Sequence, residues 1–431
     1  MKAPSLSLSP RAVNRVRFAA ILGVLGPGLV SGFADNDAGG ITTYSVAGVK
    51  YGYELLWVLL ASQIVLFFTQ EVGARLGLAT GQGLTGLVRE RFGVRWVTFL
   101  TITMLIANIG SIVAEFAGTA AALSLFGVAP AISAAIAATV VILLITRGSF
   151  GKVQYLFVAV GIGVSLAYFA SALMSHPDWG TAFHSLIVPS LAHSGSSTGA
   201  YWLAVVATVG TTITPWGQAF IQSYCADKRL GPEDLIGERL DVGLGALLTN
   251  LIAAFIVVAC AAALYSHNVT IDTNNPNAVA EIAKALAPLA GDAAKVLFAV
   301  GLLAASFLGL GVVPLTSAYA ACEAFGWETG VDWRFREAPA FYGLIIFFIV
   351  IAAFFVLIPG LPLVQVMFMA QVVNALLLPF VLVFVMVLAS DKKLMGPLVS
   401  GRFLQVVGWA GTGLLVILSL TLAWSSLFAS A

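Results

Sequence analysis

The residues best suited to chemistry in this chain are two aspartates, Asp35 and Asp37, inside an apolar stretch that covers 18–49. An ionisable side chain near the bilayer centre costs roughly 2.5–3.5 kcal/mol on insertion scales, so such residues normally face a cavity, a partner or an ion. The glycines beside them, Gly40 included, allow a helix to stop and restart, and freed carbonyls are tolerated at membrane depth only where they line a site. The segment therefore predicts a cation site, with a divalent ion as the first candidate.

A second interrupted apolar stretch carries Gly-Thr-Thr-Ile-Thr-Pro-Trp-Gly at 210–217, where Pro215 disfavours helix at the residue before it. If the two breaks face each other, Asp37, Thr211 and Thr214 would offer oxygen ligands together with freed carbonyls. Neither break contributes His, Cys or Met, so the site suits Mg²⁺ or Mn²⁺ better than a thiophilic metal. Asp35 lies two residues from Asp37 and off its helical face, so its contact with the ion, or with water alone, stays open.

Three further polar residues lie in predicted spans. Glu115 in the third span is either part of a proton relay or a hydrogen-bonded carboxyl that joins two helices. Gln371 and Asn374 in the tenth span are either amide-oxygen ligands or hydrogen-bond partners between helices. We expect Gln371 to bind the ion or one of its waters.

Composition places the chain among polytopic membrane proteins, because 60% of its 431 residues are hydrophobic and only 10% are charged. Stretches long enough to cross about 30 Å of hydrocarbon number eleven. They fall near 17–49, 53–74, 97–125, 129–146, 153–174, 200–223, 241–265, 293–321, 339–358, 363–389 and 403–428.

The basic residues predict the orientation. With the N-terminus in the cytoplasm, 18 of the 21 Lys and Arg residues fall on inner segments and only Lys50, Lys284 and Lys295 fall outside. The C-terminus is then extracellular. The net charge of +1 is distributed over span borders and predicts no nucleic-acid partner.

The remaining segments indicate little chemistry. Residues 1–16 lack a small-residue cleavage site, so we expect no removable signal peptide. The outer loops 175–199 and 266–291 read as solvated, and the inner segment 224–240 as a charged connector that could hold a gating ion pair. All four histidines fall in the outer loops: His176, His184, His193 and His267. The three cysteines are expected to be free thiols: Cys225, Cys260 and Cys322.

The two breaks lie five spans apart, in the first and sixth spans. A unit with an odd number of spans re-enters the membrane from the opposite side when repeated, so spans one to five and six to ten form inverted halves. We therefore expect one transmembrane domain over 1–431, with repeats at about 17–174 and 200–389 and an extra helix at about 403–428. Broken helices at corresponding positions of such repeats point to a substrate site.

The sequence resembles the natural resistance-associated macrophage protein (Nramp) family of divalent metal transporters. Spacing from Gly26-Pro27-Gly28 aligns Asp37 with the aspartate of the family's Asp-Pro-Gly-Asn motif. Further matches are Ala47-Gly48, Tyr51-Gly52-Tyr53, the run Leu-Leu-Trp-Val-Leu-Leu at 55–60, Ala74-Arg75-Leu76-Gly77, Thr80-Gly81, Ala114-Glu115 and the run Ser-Asp-Lys-Lys-Leu-Met-Gly at 390–396. The resemblance implies the leucine-transporter fold.

The departures from the family pattern concern the site. Gly40 stands where the family has asparagine, Thr211 replaces an alanine, and Thr214 replaces the methionine that favours Mn²⁺, Fe²⁺ and Cd²⁺. Without that thioether, selection against Mg²⁺ should relax, and the smaller Gly40 leaves room for the waters that Mg²⁺ retains.

Other departures concern protons. Ile112 stands in place of a third-span aspartate, and Trp216 and Ile221 replace two sixth-span histidines. The combination is similar to the Nramp-related magnesium transporter clade, whose members carry Mg²⁺ and Mn²⁺ without coupled protons.

We therefore expect a monomeric, multi-pass secondary transporter of the plasma membrane, not an enzyme, that moves Mg²⁺ and Mn²⁺ by alternating access and has no cofactor beside its cargo. The alternatives are a proton-coupled Mn²⁺/Fe²⁺ symporter, a Mg²⁺ channel or sensor, and an amino-acid transporter of the same fold. Two aspartates in the first break would repel the carboxylate that an amino-acid transporter must bind.

Overall fold

A computed structural model describes residues 26–147, 150–192, 197–275, 277–330, 333 and 335–428, and its regular elements there are helical. The first nine α-helices are α1 (Pro27–Ala34), α2 (Ala38–Tyr51), α3 (Leu56–Thr80), α4 (Leu84–Phe92), α5 (Val94–Ser124), α6 (Pro130–Thr146), α7 (Phe150–Met174), α8 (Trp179–Ile187) and α9 (Thr198–Thr212). The others are α10 (Pro215–Asp227), α11 (Leu235–Ala263), α12 (Ala278–Ala283), α13 (Ala287–Ala290), α14 (Ala294–Phe325), α15 (Pro339–Val356), α16 (Leu363–Ser390), α17 (Lys392–Met395) and α18 (Arg402–Phe428).

These helices account for the eleven predicted spans. Among the described residues, seven helical segments are long and apolar enough to cross a membrane, and α6 and the described part of α7 are shorter apolar helices. The first and sixth spans are each divided into two helices, α1 with α2 and α9 with α10. Large apolar side chains on the outer faces, such as Leu166 and Ile417, remain exposed to the lipid.

Each break has a local cause in the sequence. Asp37 is the N-cap of α2, where its Oδ1 accepts a 2.6 Å hydrogen bond from the Gly40 N–H. Thr214 is the N-cap of α10, where its Oγ1 accepts from the Gly217 N–H at 3.2 Å. Pro215 then occupies the first helical position, which suits its missing N–H and fixed φ. Residues predicted as candidate ligands are therefore also the residues that restart the helices.

The four half-helices form two pairs, one on each side of the breaks. α1 contacts α10, and α2 contacts α9. Both pairs are enclosed by long helices, because α11 packs along α1 and α2 while α16 packs along α9 and α5. The breaks thus lie at the centre of the helix bundle, away from lipid.

Helix α1 is fixed closely against α11. A side chain on Gly28 or Gly245 would clash with the opposing backbone, so the two helices approach as only glycines permit. Buried Asp241 accepts hydrogen bonds from the Gly28 N–H at 2.5 Å and the Leu29 N–H at 3.3 Å. The carboxylate therefore satisfies backbone donors at the start of α1, which that helix cannot satisfy itself.

The run Ser-Asp-Lys-Lys at 390–393 lies where α16 ends and α17 begins, and its aspartate has a structural role there. Asp391 caps α17 by accepting a 2.9 Å hydrogen bond from the Lys393 N–H, and it forms an ion pair with Arg91 at the end of α4. The Lys393 N–H and the Arg91 charge hold the pKa of Asp391 below its usual value. This run thus joins the start of α17 to the end of α4 rather than contributing to the breaks.

An ion pair also forms at the predicted charged connector. Arg239 Nε lies 3.3 Å from Glu71 Oε1, and Arg75 Nε lies 2.7 Å from the same oxygen. The partner of Arg239 is therefore on α3, so the pair joins two spans rather than closing within the connector.

Two expectations for the outer segments need correction. The 175–199 segment is not only a solvated loop, because it contains the helix α8. Residues 266–291 contain α12, whose apolar face is buried against the bundle through Val279 and Ile282. His176, His184 and His267 are solvent-accessible, whereas His193 lies outside the described residues. The three cysteines are free and buried, as expected.

Candidate metal site

The predicted ligands do not converge on one point, and a first group surrounds Gly40. A methyl carbon placed on Gly40 would lie 2.9 Å from the Asp35 carbonyl oxygen, 3.1 Å from Thr211 Oγ1 and 3.3 Å from Asp37 Oδ1. We call these three atoms the first oxygen cluster. Because Mg²⁺ binds oxygen at about 2.1 Å, a cation here requires either inward movement of about 1 Å or contact through water.

A second group surrounds Gly217. A methyl carbon there would lie 2.8 Å from Thr214 Oγ1, 3.4 Å from Asp35 Oδ1 and 3.5 Å from Ser31 Oγ. These three atoms form the second oxygen cluster. The Thr214 hydroxyl donates a 3.1 Å hydrogen bond to Asp35 Oδ1, so this hydroxyl joins the two breaks directly. Thr214 is thus placed beside Asp35 rather than beside Asp37.

Several buried polar atoms at the breaks have no hydrogen-bond partner among the described residues. They are Asp35 Oδ2, Asn36 Oδ1, Asp37 Oδ2, Thr211 Oγ1 and Gln371 Nε2. Buried polar atoms are normally paired, and the cost of leaving each one unpaired is about 1–3 kcal/mol. A concentration of unpaired oxygens at two helix breaks is therefore what a cation or ordered water would satisfy.

The atoms at the breaks that could bind a metal ion are mostly oxygens, which are hard ligands. In the described part of the chain, no group of three or more His, Cys, Asp or Glu side chains is placed to hold a metal ion. A cation at the breaks would depend on hydroxyl, carbonyl and amide oxygens and on water beside the carboxylates. The sulfur of Met367 lies one turn before Gln371, where it accepts a 3.3 Å hydrogen bond from Thr42.

Glu115 is brought to the first break. Its Oε2 accepts a 3.3 Å hydrogen bond from the Ala38 N–H, and its carboxyl group lies beside that of Asp37. Neither Asp37 Oδ2 nor Glu115 Oε1 has a hydrogen-bond partner among the described residues. Because neighbouring carboxylates repel each other when both are charged, a cation at the first break would stabilise the pair.

Gln371 and Asn374 are joined to each other. Asn374 Nδ2 donates to Gln371 Oε1 at 2.9 Å and to Ser111 Oγ at the same distance. The Nε2 atom of Gln371 therefore points toward Gly39, close to the Asp37 carboxyl group. An amide oxygen reaches the break only if the Gln371 amide rotates, because oxygen and nitrogen then exchange places.

Sequence reasoning missed Ser31, Gln70 and Asn36. Gln70 Nε2 donates to Ser31 Oγ at 3.4 Å, and the Gln70 side chain also lies beside the Asp35 carboxylate. A glutamine in the apolar second span was a usable signal. The buried face of α3 on which it lies was not evident from the sequence.

Comparison with known proteins decides the family. The family model described as natural resistance-associated macrophage protein-like matches residues 28–425, which is most of the chain. The chain belongs to the Nramp family. The predicted resemblance is therefore confirmed.

Relatives in the Nramp family are named as transporters and not as enzymes. The chain is 29% identical over 429 residues to the divalent metal cation transporter MntH of Deinococcus radiodurans, with 97% of this chain and 92% of that protein covered. It is 27% identical to the protein of the same name from Burkholderia ambifaria, with 96% and 91% covered. The expectation of a transporter rather than an enzyme is confirmed.

Solved structures show the fold. A manganese transporter of Eremococcus coleocola superimposes with a TM-score of 0.75 at 22% identity, covering 97% of this chain and 88% of that one. MhsT in complex with L-phenylalanine gives a TM-score of 0.62 at 16% identity, covering 93% of this chain and 98% of that one. The leucine-transporter fold with broken first and sixth helices is thereby confirmed for this Nramp protein.

The close surroundings of Gly40 predict that a side chain at this position weakens cation binding. Gly40→Ala places a methyl carbon among the three atoms of the first oxygen cluster, so we expect Mn²⁺ affinity to fall by about tenfold or more, since hard cations depend on ligand number and cavity size. Mn²⁺ titration of the purified protein measures the change.

The matched control is Gly110→Ala, whose new methyl would meet nothing nearer than the Ala370 side chain at 4.0 Å. Its affinity should match that of the parent. Equal affinities for all three proteins would contradict a cation position at Gly40.

Proposed function

We propose that this chain is a secondary transporter that takes up Mg²⁺ and Mn²⁺ by alternating access, with the ion held where the first and sixth spans break. The proposal rests chiefly on the buried oxygens gathered at the two breaks, several of which have no hydrogen-bond partner among the described residues. Family membership and relatives named as divalent metal cation transporters support the class of cargo. The cargo is the transported ion, and no resident cofactor is proposed.

We assign the first oxygen cluster, with Asp37 as its indispensable carboxylate, as the principal binding position. Its ligands are the Asp37 and Thr211 side chains and the Asp35 carbonyl, with Gly40 leaving space for water. From the side of α16, Gln371 donates to a water of the ion through Nε2, or binds the ion itself once its amide rotates, and Asn374 supports it. Such a site suits Mg²⁺, which gives up its waters reluctantly and prefers oxygen.

We further propose that transport needs no proton. Ile112, Trp216 and Ile221 are buried and cannot exchange protons, and His176, His184 and His267 lie in the outer segments. The membrane potential suffices as a driving force, because moving two charges through 100 mV is worth about 4.6 kcal/mol.

We place the protein in the plasma membrane with a cytoplasmic N-terminus and an extracellular C-terminus, as a monomer. The distribution of basic residues supports this orientation. On this assignment α1 and α10 lie on the cytoplasmic side of the breaks.

One observation favours a second candidate function, a proton-coupled Mn²⁺ symporter. The carboxyl group of Glu115 lies beside that of Asp37, so a cation that binds Asp37 would favour loss of a proton from Glu115. Coupling would follow only if that proton then crossed the membrane with the ion.

Uptake into proteoliposomes that contain a pH-sensing dye separates the two functions. With a negative interior potential, we expect Mn²⁺ and Mg²⁺ to enter without acidifying the lumen, because no proton accompanies the ion. Asp37→Ala is the inactive control. Acidification in step with Mn²⁺ entry, or millimolar Mg²⁺ that neither enters nor competes, would overturn the proposal.

Thr214→Met tests the basis of selectivity. A thioether beside Asp35 should raise uptake of Mn²⁺ and Cd²⁺ relative to Mg²⁺, because soft ligands favour those ions. Competition between the ions in the same liposome assay measures the ratio.

Thr214→Leu is the matched control, since it removes the same N-cap hydroxyl without adding sulfur and costs about 1 kcal/mol of helix stability in both variants. A selectivity ratio that is equal in the two variants would show that residue 214 does not contact the ion.

A further inference from the structure

We propose that the second oxygen cluster, completed by Gln70, is a separate divalent-cation position through which the ion passes after leaving the first cluster. This inference rests on the proposed function, since it concerns the path of the same transported ion. It assigns roles to Ser31 and Gln70, two residues that lie outside the principal site.

The two clusters lie on opposite sides of the breaks. Gly40 and Thr211, which mark the first cluster, belong to the paired helices α2 and α9. Ser31 and Gly217, which mark the second, belong to the paired helices α1 and α10. An ion that crosses the breaks must therefore move from one helix pair to the other.

Asp35 contributes to both positions. Its carbonyl oxygen faces the first cluster, and its carboxylate Oδ1 faces the second. An ion can thus contact the second position before it loses the first, which avoids full desolvation in the apolar interior. Because the clusters share one residue, repulsion between two divalent ions would keep them from being occupied together.

The second position has buried oxygens that nothing in the described chain satisfies. Asp35 Oδ2 and Gln70 Oε1 have no hydrogen-bond partner there, and both side chains are 1% exposed. Gln218, one helical turn after Thr214, is equally buried, and neither of its amide atoms has a partner. The carboxylate, hydroxyl and amide oxygens gathered here are the ligands that Mg²⁺ and Mn²⁺ prefer.

The contacts hold these ligands in place around one space. Gln70 donates to Ser31 Oγ, Thr214 donates to Asp35 Oδ1, and Gly217 has no side chain that would fill the gap between them. Three helices, α1, α3 and α10, therefore each supply at least one oxygen. Since α1 contains Ser31 and ends next to Asp35, movement of α1 away from α10 would open this position.

Gln70→Glu tests the position by a gain of binding. A second carboxylate beside Asp35 should lower the Mn²⁺ dissociation constant by about tenfold, because affinity for hard cations rises with ligand charge. Slower release should lower the maximal uptake rate at the same time. Mn²⁺ binding to the purified full chain, followed by the loss of the free-ion electron paramagnetic resonance signal, gives the affinity, and proteoliposome uptake gives the rate.

Gln63→Glu is the matched control, because it adds the same charge to α3 about two turns away from Gln70. It should leave both quantities at the parental values. Mn²⁺ affinity that is unchanged or weaker in Gln70→Glu, or equally tighter in Gln63→Glu, would overturn the second position.

Ser31→Ala gives an independent test that does not add a charge. It should lower the maximal uptake rate without changing the KM for external Mn²⁺, because entry into the first cluster is unaffected. A parental uptake rate, or a raised KM for external Mn²⁺, would contradict the proposal. Failure of the proposed function would be distinguishable from failure of the second position, because the parent protein itself would then transport neither Mg²⁺ nor Mn²⁺.

Discussion

The structure depends on one constraint: two helices are interrupted in the buried centre of the bundle, and every polar group freed there needs a partner. In hydrocarbon an unpaired backbone donor or acceptor costs several kcal/mol, so a break persists only where protein groups or a bound ligand satisfy it. Here Asp37 and Thr214 cap the new helix N-termini, and the Thr214 hydroxyl also joins the two breaks by donating to Asp35 Oδ1. The atoms that permit the breaks are thus the atoms that can hold a cation.

Close packing makes this arrangement specific. Gly28 and Gly245 bring α1 against α11, while Gly40 and Gly217 each keep a small space open among three oxygens. Gly28 and Gly245 allow two helix backbones to come into contact, whereas Gly40 and Gly217 leave room between oxygen atoms. The same residue type thus has opposite effects on packing at the two places. The distinction matters for function, because a helix that carries ligands must be held firmly enough to form the site and must still be able to separate when the ion leaves.

Much of the fold was predictable from the sequence, because hydropathy and basic residues constrain a membrane protein strongly. Pro215 and the aspartates located both breaks to within a few residues, and the structure and family comparison confirm the architecture. Helix α12 was missed because it is shorter than a span and lies in a segment rich in asparagine.

The site was less predictable for a physical reason. Helical periodicity assigns residues to faces only where the helix is regular, and the candidate ligands lie where it is not. The sequence therefore predicted one site for Asp37, Thr211 and Thr214 and left the role of Asp35 open, whereas the geometry separates these residues into two groups that share Asp35. The partner residues Ser31 and Gln70 are distant in the sequence, so only the packing of α1 against α3 and α10 brings them together.

The central claim is that the oxygens of the two breaks hold the transported divalent ion. An anomalous difference map from crystals of the protein soaked with Mn²⁺, collected near the manganese absorption edge, tests it most directly. The account predicts a peak between Asp37, Thr211 and the Asp35 carbonyl, or beside the Asp35 carboxylate and Thr214. A single strong peak elsewhere in the bundle, with none at either cluster, would contradict it.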